Sequence, residues 1–127
     1  LQTCGIVYDI PPEKPGAMWP FGKRLPARFL HGFGYYEIRC RMNRNPDWWV
    51  AFWLQSPSIG AHPDARRAGV ECDVMESQEY VKDGTIRCGN IWGAYGSDGK
   101  GSGHKHPKVP PTPDDWHHFG VEWSPAG

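Results

Sequence analysis

Three observations predict an all-β fold. Sixteen Gly and 13 Pro punctuate the 127 residues so often that few long helices fit between them. Seven Trp and 5 Tyr favour strands. Several short stretches also alternate apolar and polar side chains with the period of two that a half-buried strand requires. The length suits one domain, taken as residues 1–127. Lys+Arg and Asp+Glu both number 14, so the formal net charge is zero. That balance argues against nucleic acid or an anionic membrane as the main partner, because each favours a basic surplus. The longest apolar run, Trp48 to Leu54, is too short to span a bilayer.

The elements follow in order. Residues 1–32 are broken by Pro, Gly and charges, with only "GIVYD" resembling a short strand. "FGYYEIRCRM" then alternates from Phe33 to Met42: Tyr36, Ile38, Cys40 and Met42 lie on one side, and Tyr35, Glu37, Arg39 and Arg41 on the other. "NRNPD" turns the chain. "WWVAFWLQ", Trp48 to Gln55, is nearly all apolar, as expected of a strand in the middle of a sandwich. A long loop leads to "VECDVMES", Val70 to Ser77, which reads as a strand. "QEYVKDG" is a turn, and "TIRCGNIWGAYG" is a strand that loosens into glycine near Gly93. Residues 97–115 have no periodicity, and "WHHFGVEW" is the final strand. The chain stops where a hairpin partner is expected, and it starts at Leu1 with no signal-peptide pattern. It therefore reads as an internal piece of a longer protein, incomplete at both ends.

Cys4, Cys40, Cys72 and Cys88 form no C-x-x-C pair, so no zinc-ribbon signature is present. Parity places Cys40 with Ile38 and Met42, Cys72 with Val70 and Val74, and Cys88 with Ile86. Three thiols are thus expected in apolar packing, with a Cys72–Cys88 bridge as the less favoured arrangement.

The acidic strand is the chemical feature. Glu71, Asp73 and Glu76 stand within six residues, although charged side chains are seldom buried without partners. Simple alternation puts Glu71 and Asp73 on one face and Glu76 on the other. A β-bulge near Met75 returns Glu76 to the first face, and bulges concentrate next to active sites. The two glutamate Cα atoms are then about 13 Å apart, four steps of strand rise. Long side chains leaning inward can approach the roughly 5–5.5 Å that a retaining glycosidase needs between nucleophile and acid/base. Asp73, shorter and between them, reaches neither reacting atom and suits a tuning role. By pattern alone the same acids also suit a calcium site or a solvated edge strand.

"FGYYEIRCRM", "WWVAFWLQS", "GVECDVMES" and "WHHFGVEWSP", in this order, resemble glycoside hydrolase family 16, the laminarinase, agarase and carrageenase group. The resemblance implies a concanavalin A-like jelly roll of two antiparallel sheets with the acids on the concave face. It implies Glu71 as nucleophile, Asp73 as its assisting acid and Glu76 as acid/base, in the bulged form of the motif. It places Trp49, Trp53, Trp92 and His117 as substrate contacts, with His117 positioned to bond Asp73 or a sugar hydroxyl, while Trp53 can equally be core. His118 points the other way by parity and reads as structural, and His104 and His106 read as solvent-exposed loop residues.

The implied activity is endo-acting hydrolysis of a β-linked polysaccharide, a glucan or galactan, with retention. The alternative is a non-catalytic lectin-like module on the same fold. No cofactor and no catalytic metal are expected; a structural Ca²⁺ occurs in such folds, without ligands assigned in this sequence. The resemblance also implies a monomer that is secreted or periplasmic. Two departures bear on the substrate: "HPDARRAGVECD" lacks the Trp that many laminarinases carry there, and Trp92 stands where related strands often place a His-aromatic pair.

Overall fold

The computed structural model describes residues 30–42, 45, 48–56, 69–77, 80–93, 100–102, 107–110 and 115–126. The expected "GIVYD" strand, Cys4, His104, His106 and most of the "NRNPD" turn lie outside the described residues. The fold is all-β apart from one turn of helix: β1 (Gly34–Arg41), β2 (Val50–Gln55), β3 (Val70–Ser77), α1 (Tyr80–Asp83), β4 (Arg87–Trp92), β5 (Lys100–Gly101) and β6 (Trp116–Trp123). One sheet pairs β1 with β6, and the other runs in the order β2-β3-β4-β5. No helix among the described residues is long and apolar enough to cross a membrane.

The β1–β6 pair is antiparallel, with Gly34 opposite Trp123 and Arg41 opposite Trp116. Its alternation follows the sequence pattern. Ile38, Cys40 and Met42 turn inward with Phe119 of β6, while Tyr35, Glu37, Arg39 and Arg41 are exposed. Sequence separation explains why this pairing cannot be read locally: hydrophobic parity fixes which face of each strand is wet but not which strand is its neighbour.

The core is formed by Met42, Met75, Tyr80, Ile86 and Phe119, with Ile38, Cys40, Val50, Phe52, Val74 and Val109 packed against it. These residues come from both sheets, which is what a sandwich requires. β2 differs from expectation in two respects. It begins at Val50, leaving Trp48 and Trp49 exposed before it, and it stands at the edge of the described sheet rather than in its middle. Val50 and Phe52 turn to the core, so alternation puts Trp53 on the opposite face.

"QEYVKDG" contains the single helical turn α1. It ends at Gly84, whose φ of 73° is open to glycine and strained for other residues. The Gly84 N–H donates to the Tyr80 carbonyl at 2.9 Å, and the Val109 N–H donates to the Gly84 carbonyl at 2.9 Å. A Cβ at position 84 would stand 2.5 Å from the Val109 oxygen, so close backbone approach also selects glycine. Nearby, Thr85 bridges Lys108, and the Lys108 ammonium contacts the Asp83 carboxylate.

The described residues fall into two compact units. The larger contains Phe33–Leu54, Glu71–Asn90 and Gly101–Gly127, and holds the core and the acids. The other takes in the described positions 30–32, 55, 56, 69, 70, 91–93 and 100, where the Ser56 N–H donates to the Val70 carbonyl at 2.8 Å.

Candidate active site

The acids stand on β3, whose burial alternates along its full length. The expectation that Cys72 and Val74 are the buried side of this strand is corrected: both are half-buried, whereas Glu71 is only 8% and Asp73 only 4% exposed. The reason is what covers each face. Val74 packs on the core without being sealed by it, while the two acids are enclosed on theirs.

Burial alternates without a break from Val70 to Ser77, so nothing along β3 marks the bulge expected near Met75. The three carboxyls are nonetheless electrostatic neighbours. Burial, then the charge of Glu76, then that of Glu71 push the Asp73 carboxyl up from its ordinary 3.8 to about 7. Both glutamates therefore act on the aspartate between them, with Glu76 the stronger neighbour.

Trp49 reaches this group from the segment just before β2. Its indole N–H donates to Glu76 Oε1 at 3.0 Å, while the side chain stays 52% exposed. The Arg87 guanidinium of β4 lies 5.9 Å from the centre of the same ring, within the range of a cation–π contact. On β2, Trp53 is half-buried on the face away from Val50 and Phe52. Trp92 is the half-buried last residue of β4 and belongs to the other compact unit.

His117 departs from its expected position. It is buried on the side of β6 that also carries Phe119, and its Nε2 lies 2.9 Å from the Tyr80 hydroxyl. Tyr80 also donates to Asp115 Oδ1 at 3.3 Å, and the Tyr80 and His117 rings meet edge to face. The helical turn that follows the acidic strand brings Tyr80 to His117, so the imidazole is bonded to a tyrosine rather than to Asp73. His118, on the opposite face, lies 3.2 Å from Glu37 Oε1, in keeping with its structural reading.

Sequence reasoning missed Tyr80, Asp115 and Arg87. Asp115 carried one local signal: an Asp immediately before a strand tolerates the left-handed conformation, and its φ is 59°. Tyr80 and Arg87 carried none, because their partners are distant in sequence. Among the described residues, no group of three or more His, Cys, Asp or Glu side chains is arranged to hold a metal ion.

Cys40, Cys72 and Cys88 are half-buried thiols in no disulfide. Burial raises the Cys40 and Cys72 thiols, and Asp73 and Cys88 raise Cys72 further. A half-buried thiol raised in this way is less readily ionised, so Cys40 and Cys72 read as packing residues.

A buried carboxyl whose ionisation is perturbed by two neighbouring carboxylates is a feature that functional sites commonly show. No curated protein and no solved structure matches the chain. A family model described as "Glycosyl hydrolases family 16" matches residues 18–127, a span that includes every acid, indole and imidazole discussed above. The motif blocks, the two-sheet β fold and this match agree, and the chain belongs to glycosyl hydrolase family 16.

Proposed function

We propose that this chain carries the catalytic acids of a retaining endo-β-glycosidase that cleaves a β-linked polysaccharide, a β-glucan or a β-galactan, by double displacement. The observation that carries the reading is the coupling of Asp73 to both glutamates in a buried site. Glu71 attacks the anomeric carbon as a carboxylate while Glu76 gives a proton to the departing glycosidic oxygen. In the second half, Glu76 takes a proton from water, the water oxygen bonds to the anomeric carbon, and the bond to Glu71 breaks. Asp73, held neutral up to about pH 7, can donate its proton as a hydrogen bond to a neighbouring glutamate without touching a reacting atom.

Trp49 has two roles in this reading. Its N–H occupies Glu76 Oε1 and so leaves Oε2 to carry the transferred proton, while its exposed ring is open to the apolar face of a sugar. Trp53 and Trp92 are further sugar contacts. His117, bonded to Tyr80, supports the fold rather than the substrate. The chemistry needs no metal or cofactor. The full protein acts outside the cytoplasm as a monomer.

Two experiments test this. Release of reducing ends from laminarin, agarose, porphyran or carrageenan separates an enzyme from a lectin and names the polymer. Azide rescue then assigns the glutamates. With an activated β-glycoside, Glu71→Ala should yield the α-glycosyl azide, since azide enters directly from the face the nucleophile vacated. Glu76→Ala should yield the β-glycosyl azide by two inversions. The reverse pairing would exchange the roles, and full activity of either variant on a natural polymer would refute catalysis by these acids.

A further inference from the structure

Glu76 stands in β3 between two fully buried side chains. Met75 and Ser77 are each 1% exposed, while Glu76 itself is half-buried. A methionine at that depth is ordinary core. A serine is not, because a hydroxyl taken out of water needs a partner, and an apolar side chain of similar size makes no such demand.

The partner lies eight residues on. The Ser77 hydroxyl donates to the Thr85 carbonyl at 2.5 Å, just before β4. Thr85 is in turn fixed by other groups. Its N–H donates to Asp83 Oδ1 at 3.0 Å, and Lys108 Nζ donates to Thr85 Oγ1 at 2.6 Å while also contacting the Asp83 carboxylate. Backbone bonds on either side complete the frame: the Val109 N–H donates to the Gly84 carbonyl at 2.9 Å, and the Ile86 N–H donates to the Pro107 carbonyl at 3.1 Å. The last residue of β3 is thus tied by its side chain to a cross-linked segment.

The consequence falls one residue back. The Glu76 carboxyl is bonded at its tip by the Trp49 indole N–H at 3.0 Å, but Trp49 is itself 52% exposed. A long side chain held from an exposed partner is placed no better than the backbone that carries it. We propose that Ser77 is a positioning residue for Glu76: its hydroxyl, bonded to the Thr85 carbonyl, fixes the direction in which the end of β3 delivers the Glu76 carboxyl to the glycosidic oxygen. This rests on the reading of Glu76 as the acid/base. Ser77 itself is too deeply buried to touch substrate. The effect is selective in kind. Proton donation matters most for a leaving group that cannot depart unaided and little for one that leaves as a stable anion. General loosening of the fold, or displacement of Glu71, slows both.

The test compares kcat/KM of the whole chain for an oligosaccharide of the polymer it cleaves and for the dinitrophenyl β-glycoside of the same sugar. Ser77→Ala should lower kcat/KM by about ten-fold or more on the oligosaccharide and by less than about three-fold on the dinitrophenyl glycoside. Ser77→Cys, close in size and a weaker donor, should fall between Ser77→Ala and the parent in the same pattern, and it decides the matter where Ser77→Ala does not fold. Circular dichroism and unfolding midpoints identify the folded variants. Equal losses on the two substrates, or unchanged kcat/KM on both, in a folded Ser77 variant would overturn the proposal. Glu76→Ala separates it from the reading beneath it, and should show the same selectivity more strongly. Selectivity in Glu76→Ala with none in the Ser77 variants would overturn the positioning role alone. Equal losses in Glu76→Ala, or a parent chain that cleaves neither substrate, would overturn the acid/base reading and the positioning role with it.

Discussion

Asp73→Asn isolates the energetic consequence of burying an acid between two others. The Asp73 carboxyl is displaced from 3.8 to about 7, chiefly by burial and then by Glu76 and Glu71. At about 1.36 kcal/mol per pH unit, this corresponds to roughly 4 kcal/mol against ionising Asp73 in the folded state. Below pH 3.8 the group is protonated whether folded or unfolded, and contributes no pH dependence. Between 3.8 and about 7 the unfolded chain releases the proton while the folded chain keeps it. The folded state then binds more protons, so stability falls as pH rises through this window and levels off above it. Asparagine keeps the shape and cannot ionise. The variant should match wild type near pH 4 and exceed it at pH 8, by up to about 4 kcal/mol. Urea unfolding followed by tryptophan fluorescence from pH 4 to 8 measures the difference. With a slope of about 1–3 kcal/mol per molar urea, a 2 kcal/mol gain moves the midpoint by about one molar. Parallel stability curves for the two proteins across that range would refute the argument. A gain at pH 8 accompanied by loss of hydrolysis would be the trade between stability and function expected of a strained site.

Trp49→Phe keeps a ring for the sugar and removes the N–H bonded to Glu76, so kcat should fall about two- to ten-fold with little change in KM; a change confined to KM would assign Trp49 to substrate contact alone. Tyr80→Phe deprives His117 and Asp115 of a buried partner and should cost about 1–3 kcal/mol in urea unfolding, whereas a loss under about 0.5 kcal/mol would show that the hydroxyl bonds are idle. Without prior reduction, denatured protein should titrate more thiol equivalents than native protein, because Cys40, Cys72 and Cys88 are half-buried thiols in no disulfide; finding no thiol after denaturation would show a disulfide-linked chain.

Much of the fold and of the acidic site can be read from residue order alone. Alternation over Gly34–Arg41 and Trp116–Trp123 marked both strands and their wet faces, because a period of two is a local property of extended backbone. The acids of β3 were conspicuous for the same reason, since three carboxyls in one strand have no bland purpose inside a core. Gly93, with a φ of 85°, likewise marked where β4 loosens.

What depended on tertiary structure was every relation between residues far apart in the chain. Parity could not say that the Trp49 N–H would reach Glu76, 27 residues later, or that Arg87 would lie near the same ring. The resemblance put His117 toward Asp73 or a sugar hydroxyl, whereas its partner is Tyr80 on a helical turn 37 residues earlier. Parity expected Cys72 and Val74 to be better buried than the acids, and the enclosure of Glu71 and Asp73 reversed that order. The physical reason is common to these cases. Period and composition determine the direction in which a side chain leaves the backbone, whereas burial, hydrogen-bond partners and charge coupling depend on what the folded chain brings to meet it.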